Sequence, residues 1–153
     1  MELPIVNHPD YVAKINDDNK FPIKKFGALA NYLKENKVVK KFFVPNPCSF
    51  ETLNQVHSKD YINNIQNKTL HHLGQKKIGF PLNDSVVKRS FVATGGTVLA
   101  SKLAINFGLA CNTAGGSHHA SINEGAGFCV FNDVAVGARS VSYTHLRAHE
   151  TRP

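Results

Sequence analysis

The sequence of 153 residues has no tryptophan, one methionine and only three cysteines. Cys48, Cys111 and Cys129 are an odd number of thiols, and no two of them form a C-x-x-C pair. This pattern argues against a disulfide framework and gives no support for a cysteine zinc site. Isolated thiols are typical of a reducing compartment, so we expect a cytoplasmic protein.

Long apolar runs are absent as well. No stretch of the sequence is long enough to span a bilayer, so we expect no membrane partner. The N-terminal residues, MELPIVNHPDY, lack the basic start followed by an apolar run that a signal peptide requires.

Positive charge exceeds negative charge, with 18 Lys and Arg against 11 Asp and Glu and a formal net charge of +7. The lysines are scattered along the chain and form no single block. A nucleic-acid footprint usually needs a clustered basic patch, so a solvated basic surface is the better interpretation and no nucleic-acid partner is expected. An acidic partner is compatible with this charge.

Short apolar runs alternate with amphipathic stretches along the chain. Strands are predicted at LPIV (3–6), at KFFVPNP and, as a buried strand, at LACNTA (109–114). Helices are predicted in FPIKKFGALANYLKEN, in two pieces of SFETLNQVHSKDYINNIQN with Ser58 as an N-cap, from Asp84 to Gly108, and after Asn132 or Asp133. HHLGQKK (71–77) is interpreted as a solvated loop. This order predicts one α/β domain with a mainly parallel sheet flanked by helices.

Two features inside these elements carry specific expectations. Gly95 and Gly96 lie in the middle of the long predicted helix, where each costs about 1 kcal/mol relative to alanine, so close packing against a neighbouring element is expected. His57 lies at the break between the two short helices. No other ligand type lies at metal spacing from it, so a packed or capping histidine is favoured over a metal ligand.

The segment AGGSHHAS (114–121) places His118 and His119 side by side, directly after a predicted strand. Ligand sites of parallel sheets lie at the carboxyl ends of the strands. Imidazoles titrate near neutral pH and can divide the work of general base and electrostatic stabiliser, which favours catalysis over ligation of one ion by adjacent residues. A structural polar loop remains an alternative. A phosphate-binding loop has only the weak signal of a G-x-G start in GAGFCV.

The segment AGGSHHASINEGAGFCVFNDVAVGAR resembles the double-histidine and GFCVFND motifs of the histone deacetylase family, including its bacterial relatives and its class IV branch. Further matching segments follow the family's order and extend the resemblance over residues 2–139. They are LPIVNHPDY, FPIKKF, LNQVHSKDYI, GFPLNDSVVKRSFVATGGT and ACNTAGG. The resemblance implies the arginase/deacetylase α/β fold and a zinc-dependent amidohydrolase that removes acyl groups from lysine side chains or polyamines.

The resemblance also implies roles for individual residues. His119 corresponds to the general base that takes a proton from the zinc-bound water and helps to protonate the leaving amine. His118 corresponds to its partner, held by a buried carboxylate. Gly127 would offer its backbone to the substrate, and Phe128 would form one wall of the channel for the acyl-lysine chain.

Two departures from the family pattern limit what this chain is expected to do. Asn19 and Lys20 stand where family members commonly have His-Arg before the FP of the first loop. The C-terminal SVSYTHLRAHETRP has neither the Asp-x-Asp-x-His strand nor the later Asp and Tyr of the family. Zinc is therefore expected for a full-length member, but the residues present support no metal ligands, and a catalytically inactive N-terminal part is predicted.

The tail at 140–153 resembles translated library-adapter sequence and is expected to be artefactual or disordered. His145 and His149 would share a helix face with Glu150 adjacent, but a metal site there is disfavoured, because catalytic zinc usually takes three ligands set by a packed surrounding shell. A non-catalytic α/β module that binds a small ligand is the alternative function. The acyl group, the choice of protein or polyamine substrate and the oligomeric state stay open.

Overall fold

A computed structural model describes residues 3–142, and its sheet contains two short parallel strands. β1 (Ile5–Val6) pairs with β2 (Cys111–Asn112), with Ile5 opposite Cys111 and Val6 opposite Asn112. The parallel pairing, flanked by helices, confirms the predicted α/β class.

The strand predicted at KFFVPNP is reduced to a single bridge. Phe43 donates its N–H to the carbonyl of Ile5 at 2.9 Å and accepts from the N–H of Asn7 at 3.0 Å, which adds one parallel bridge beside β1. Pro45 and Pro47 have no N–H to continue the ladder, so the pairing stops there.

Six α-helices and one 3-10 turn complete the described part of the chain. The 3-10 turn is Pro9–Tyr11, and the α-helices are α1 (Lys25–Glu35), α2 (Phe50–Leu53), α3 (Lys59–Gln66), α4 (His72–Ile78), α5 (Asp84–Phe107) and α6 (Asp133–Val141). The predicted amphipathic, split, long and C-terminal helices are confirmed. Across residues 3–142, no helix combines the length and the apolar character that crossing a bilayer requires.

Four of the described helices begin at a side-chain oxygen cap, the first being α2, where Ser49 Oγ accepts from the N–H of Thr52 at 3.2 Å. Ser58 Oγ accepts from the N–H of Tyr61 at 3.3 Å, and Asn132 Oδ1 accepts from the N–H of Ala135 at 3.0 Å, as predicted. The long helix α5 is capped by Asn83, one residue earlier than expected, whose Oδ1 lies 2.9 Å from the N–H of Val86.

The interpretation of residues 71–77 as a loop is wrong, because they form most of α4. His71 caps this helix with its Nδ1, 3.2 Å from the N–H of Gly74, and Gly79 ends it with φ of +83°. Gly74 and Ile78 are buried, so the segment has an apolar face that packs on the core. Its histidines and lysines lie on the exposed side.

β2 is less buried than predicted. Cys111 is exposed, Asn112 is half-buried, and Leu109 just before them is 63% exposed. β1 is the only strand that pairs with β2 within residues 3–142, so the other edge of β2 has no strand cover in the described part.

The close packing predicted for the glycines of α5 is confirmed. A Cβ on Gly95 would lie 2.0 Å from the carbonyl oxygen of Asn46, and one on Gly96 would lie 2.0 Å from the hydroxyl of Tyr11. Helix α6 packs on the same helix, because a Cβ on Gly137 would lie 2.9 Å from Cγ2 of Thr97. These contacts hold α6, the segment at Asn46 and the 3-10 turn close to α5.

Candidate active site

His118 and His119 lie in the loop that leaves the carboxyl end of β2, where ligands are expected in a parallel sheet. Both side chains are exposed, and their ring centroids are 4.1 Å apart with 45° between the planes. Nδ1 of His118 lies 2.8 Å from the carbonyl oxygen of Gly116. A carbonyl can only accept, so this Nδ1 carries the proton, and Nε2 of the neutral ring is the acceptor.

The structure brings Gly127 against His119. The backbone at Gly127 has φ of +54°, and an added Cβ would lie 3.0 Å from Cδ2 of the His119 ring. The N–H of Gly127 donates to the carbonyl of Lys77 at 3.0 Å, and the N–H of Phe128 donates to that of Ile78 at 2.7 Å. The turn that carries Gly127 and Phe128 is therefore anchored to the C-terminal end of α4.

Phe128 forms part of an aromatic wall beside the histidines. Its ring centroid lies 5.1 Å from that of Phe21 and 5.3 Å from that of Phe80. Phe128 is a non-glycine residue with φ of +65°, a conformation that costs about 1 kcal/mol and is maintained by the surrounding contacts. A Cβ on Gly79 would lie 2.8 Å from the Phe128 ring, so this glycine leaves room for the wall.

A cavity of about 360 Å³ opens beside this wall, and the loop before Phe21 forms its rim. It is lined by Asp18, Asn19, Lys20, Gly79 and Phe128. Asn19 donates from Nδ2 to the carbonyl of Gly79 at 3.1 Å and accepts the N–H of Phe21 at 3.0 Å. The departure at Asn19 therefore leaves this loop tied to the turn after α4.

Asp133, which the sequence marked only as a possible helix cap, is 1% exposed behind the histidine loop. Its Oδ1 accepts from the N–H of Gly116 at 3.1 Å, whereas Oδ2 has no hydrogen-bond partner among the described residues. Burial raises the pKa of this carboxyl to about 6, while the N–H of Gly116, the neighbouring Thr97 and Ser117, and the Arg89 charge oppose the rise. Asp133 is therefore a buried carboxyl with a raised pKa, and it is bonded to Gly116, two residues before His118.

Arg89, on α5, is also buried, and its charge acts on Asp133. Its Nε donates to the carbonyl of Tyr11 at 3.0 Å, and its guanidinium carbon lies 4.8 Å from the ring centroid of Phe26. Burial lowers its pKa to about 10, so it stays charged at neutral pH. Burial and the nearby Asp133 charge raise the pKa of Tyr11, whose hydroxyl also has no hydrogen-bond partner among the described residues.

The sequence did not predict that Asp133, Arg89 and Tyr11 form a buried polar cluster. The available signal was Arg89 on the apolar face of α5, in register with the buried Val86 and Ala93. Asp133 gave no comparable signal, because an acidic residue in the first turn of a helix is ordinary.

His57 is 1% exposed and accepts a backbone hydrogen bond, which confirms that it is a packed histidine.

Across residues 3–142, no three side chains of His, Cys, Asp or Glu come together to hold a metal ion. His145, His149 and Glu150 lie outside the described residues, as does most of the tail predicted at 140–153. The described residues therefore do not fit a zinc site.

The sequence is similar to proteins of one family. A family model for the histone deacetylase domain matches residues 20–149. An uncharacterized protein of Picosynechococcus sp. is 41% identical over 148 residues, which cover 95% of this chain and 49% of that protein. Histone deacetylase 2 of Arabidopsis thaliana is 27% identical over 148 residues, with 86% of this chain and 35% of that protein covered. The chain thus spans about half, or less, of the length of these relatives.

Solved structures show the same fold. A histone deacetylase homologue complexed with SAHA superimposes with a TM-score of 0.75 and 22% identity, covering 95% of this chain and 42% of that one. The HD domain of HDA15 gives a TM-score of 0.79 with 14% identity, covering 95% and 44%. At these identities the likeness shows the fold alone, and it confirms the predicted arginase/deacetylase-like architecture over part of a domain.

Proposed function

Because the chain belongs to the histone deacetylase family, we propose that residues 1–139 are the N-terminal part of a zinc-dependent deacylase domain, followed by a tail outside the family. The observation that carries this proposal is the pair of imidazoles 4.1 Å apart beside the turn of Gly127 and Phe128. The substrates would be acyl-lysine side chains of proteins or acyl-polyamines.

The histidine pair can divide proton transfer between its two rings. Because Nδ1 of His118 donates to Gly116, the free lone pair of its neutral ring is on Nε2. His119 packs against Gly127, so its ring is next to the backbone that would contact the substrate. We assign the general base and acid to His119, and to His118 the stabilisation of the charge that develops beside it.

The turn of Gly127 and Phe128 would hold the acyl chain. The N–H of Gly127 is already engaged with Lys77. Its carbonyl accepts only the weak thiol donor of Cys129 at 3.6 Å, so a lone pair is left to accept a substrate N–H. The half-buried ring of Phe128, supported by Phe21 and Phe80, offers a flat apolar surface to a methylene chain.

Zinc is the cofactor that the family implies, and it would supply a Lewis acid when bound. The described residues give it no ligand set, so we propose that this chain alone does not turn over substrate. Three free thiols support a cytoplasmic location.

Determination of the source transcript beyond codon 139 tests the parentage. We expect an in-frame Asp-x-Asp-x-His shortly downstream, and its absence would overturn the deacylase proposal. If it is found, the protein encoded by that transcript should hydrolyse an acetyl-lysine peptide, and His119→Ala should lower kcat/KM by at least about a hundredfold.

Zinc analysis and deacylase assays on the purified 153-residue chain test the proposal that it is inactive. We expect no stoichiometric zinc by elemental analysis and no hydrolysis of acetyl-lysine peptide or acetylspermidine. Turnover that His119→Ala abolishes would show that the chain is active as it stands.

A further inference from the structure

The connection between α2 and α3 contains a histidine that the proposed chemistry does not use. His57 is 1% exposed, and its ring packs between Tyr61 and Phe131, with ring centroids 5.7 Å and 5.3 Å away. Packing alone would accept any apolar ring at this position. The hydrogen bonds of His57 are more specific.

Both ring nitrogens of His57 are bonded to backbone groups. Nδ1 lies 2.8 Å from the carbonyl oxygen of Ser121, and Nε2 lies 3.0 Å from the backbone nitrogen of Asn132. The carbonyl can only accept and the N–H can only donate, so the ring is neutral with its proton on Nδ1. Burial, which lowers the pKa of His57, favours the same neutral form.

The two backbone groups that His57 joins lie close to the catalytic pair. Ser121 follows His119 by two residues. The side chain of Asn132 donates from Nδ2 to the carbonyl of His118 at 3.2 Å and to the carbonyl of Ala120 at 3.1 Å. These two carbonyls lie on either side of His119, so one amide group holds the backbone before and after that residue.

Asn132 is itself held from two directions. Its Oδ1 caps α6 through the N–H of Ala135, and its backbone N–H donates to His57. The loop of the histidine pair is therefore fixed to α6 through Asn132 and to the α2–α3 connection through His57.

We propose that His57 and Asn132 are positioning residues that hold His119 at its distance from Gly127 and from His118. This assignment rests on the proposed function for its catalytic meaning, because it presumes that the orientation of the histidine pair matters for proton transfer. The effect of His57 and Asn132 is on the backbone on both sides of His119.

NMR spectroscopy of the 153-residue chain tests this assignment without any need for activity or zinc. The readouts are the ring Cδ2–Hδ2 signal of His119 and the amide hydrogen exchange of Ser121, whose N–H donates to the carbonyl of Glu124 at 2.8 Å. His57→Leu keeps an apolar side chain but removes both hydrogen bonds. We expect it to shift the ring signal and to speed exchange in this loop by about tenfold or more.

Two further variants separate positioning from simple packing. His57→Gln offers one donor and one acceptor, and should bring exchange back to within about threefold of the parent chain. Ile62→Val trims the buried core of the neighbouring α3 without touching these hydrogen bonds, and should leave the His119 signal unchanged.

Asn132→Asp keeps the proposal testable even where a His57 variant fails to fold. Aspartate retains the capping acceptor for α6 but lacks the two Nδ2 donors. We expect a shift of the His119 ring signal and faster exchange at Ser121, whose N–H donates to the carbonyl of Glu124 at 2.8 Å, with α6 preserved. An unchanged loop in folded His57→Leu or in Asn132→Asp would overturn the positioning role. Loss of the deacylase parentage would leave both loop measurements as they are, so the two failures are distinguishable.

Discussion

Gly127 and His119 lie so close that a Cβ on the glycine would be 3.0 Å from Cδ2 of the imidazole. Gly127 also has φ of +54°, a conformation that favours glycine. Its backbone conformation and its lack of a Cβ both permit this contact. Together they let the turn of Gly127 and Phe128 lie against the ring of His119.

Gly127→Ala should therefore disturb both stability and the His119 ring. We expect a loss of about 1–2 kcal/mol in the free energy of unfolding, because alanine is strained at positive φ and its methyl group crowds the ring. Urea unfolding and the Cδ2–Hδ2 signal of His119 measure the two effects. Gly108→Ala is the matched control, since Gly108 has φ of +82° with nothing within 4 Å of its Cβ position. It should lower stability without moving the His119 signal.

Phe128 combines a strained backbone with aromatic contacts, and a pair of variants separates the two. Phe128→Ala loses the contacts with Phe21 and Phe80 and keeps the strain of φ at +65°. Phe128→Gly loses the same contacts but relieves the strain. We expect the glycine variant to be more stable than the alanine variant by about 1 kcal/mol in urea unfolding. Equal stabilities would show that the backbone at this position carries no strain.

The buried carboxyl of Asp133 predicts a pH dependence of stability. Its folded pKa of about 6 lies above the ordinary value of 3.8, so the folded state holds the proton more tightly. This contribution is fully present below about pH 3.8 and is lost as pH rises through about 6, with an upper bound of about 3 kcal/mol.

Asp133→Asn should remove that dependence, because the amide keeps an acceptor for Gly116 and cannot ionise. The difference in unfolding free energy between the parent chain and this variant should change between about pH 4 and about pH 7. Glu35→Gln, at the exposed end of α1, is the control and should show no such change. A constant difference for Asp133→Asn would contradict the raised pKa.

His57 predicts a dependence of the opposite sign. Burial lowers its folded pKa below 6.5, so the folded state binds fewer protons than the unfolded chain. Its contribution is present above about pH 6.5 and falls as the pH drops below that value, because protonation puts a proton on Nε2 against the N–H of Asn132.

Urea unfolding of His57→Gln against the parent chain isolates this effect. The parent should lose stability relative to the variant as the pH is lowered from about 7 to about 5. An unchanged difference would mean that the folded state tolerates protonated His57, and a relative gain for the parent would mean that its folded pKa is raised; either result contradicts the prediction.

Capping residues and hydrophobic spacing predicted α1, α3, α5 and α6, because these signals act within a few residues of one another. The loop at 71–77 was misjudged for a physical reason. Its polar letters describe the exposed side of α4, whereas the burial of Gly74 and Ile78 comes from contacts with the rest of the fold. The strand predicted at KFFVPNP is reduced to a single bridge for a local reason, because prolines end the pairing after Phe43.

By itself, the sequence determined the helix caps, the glycine-rich loop and the adjacent histidines, since these depend on neighbouring residues alone. Only the tertiary structure decided that Asp133 is a buried carboxyl behind Gly116, that Arg89 meets Tyr11, and that His57 meets Asn132. The last two contacts join residues 78 and 75 positions apart. Burial and hydrogen bonding over such separations arise only when distant segments pack, and they shift the pKa values of Asp133, Arg89 and His57.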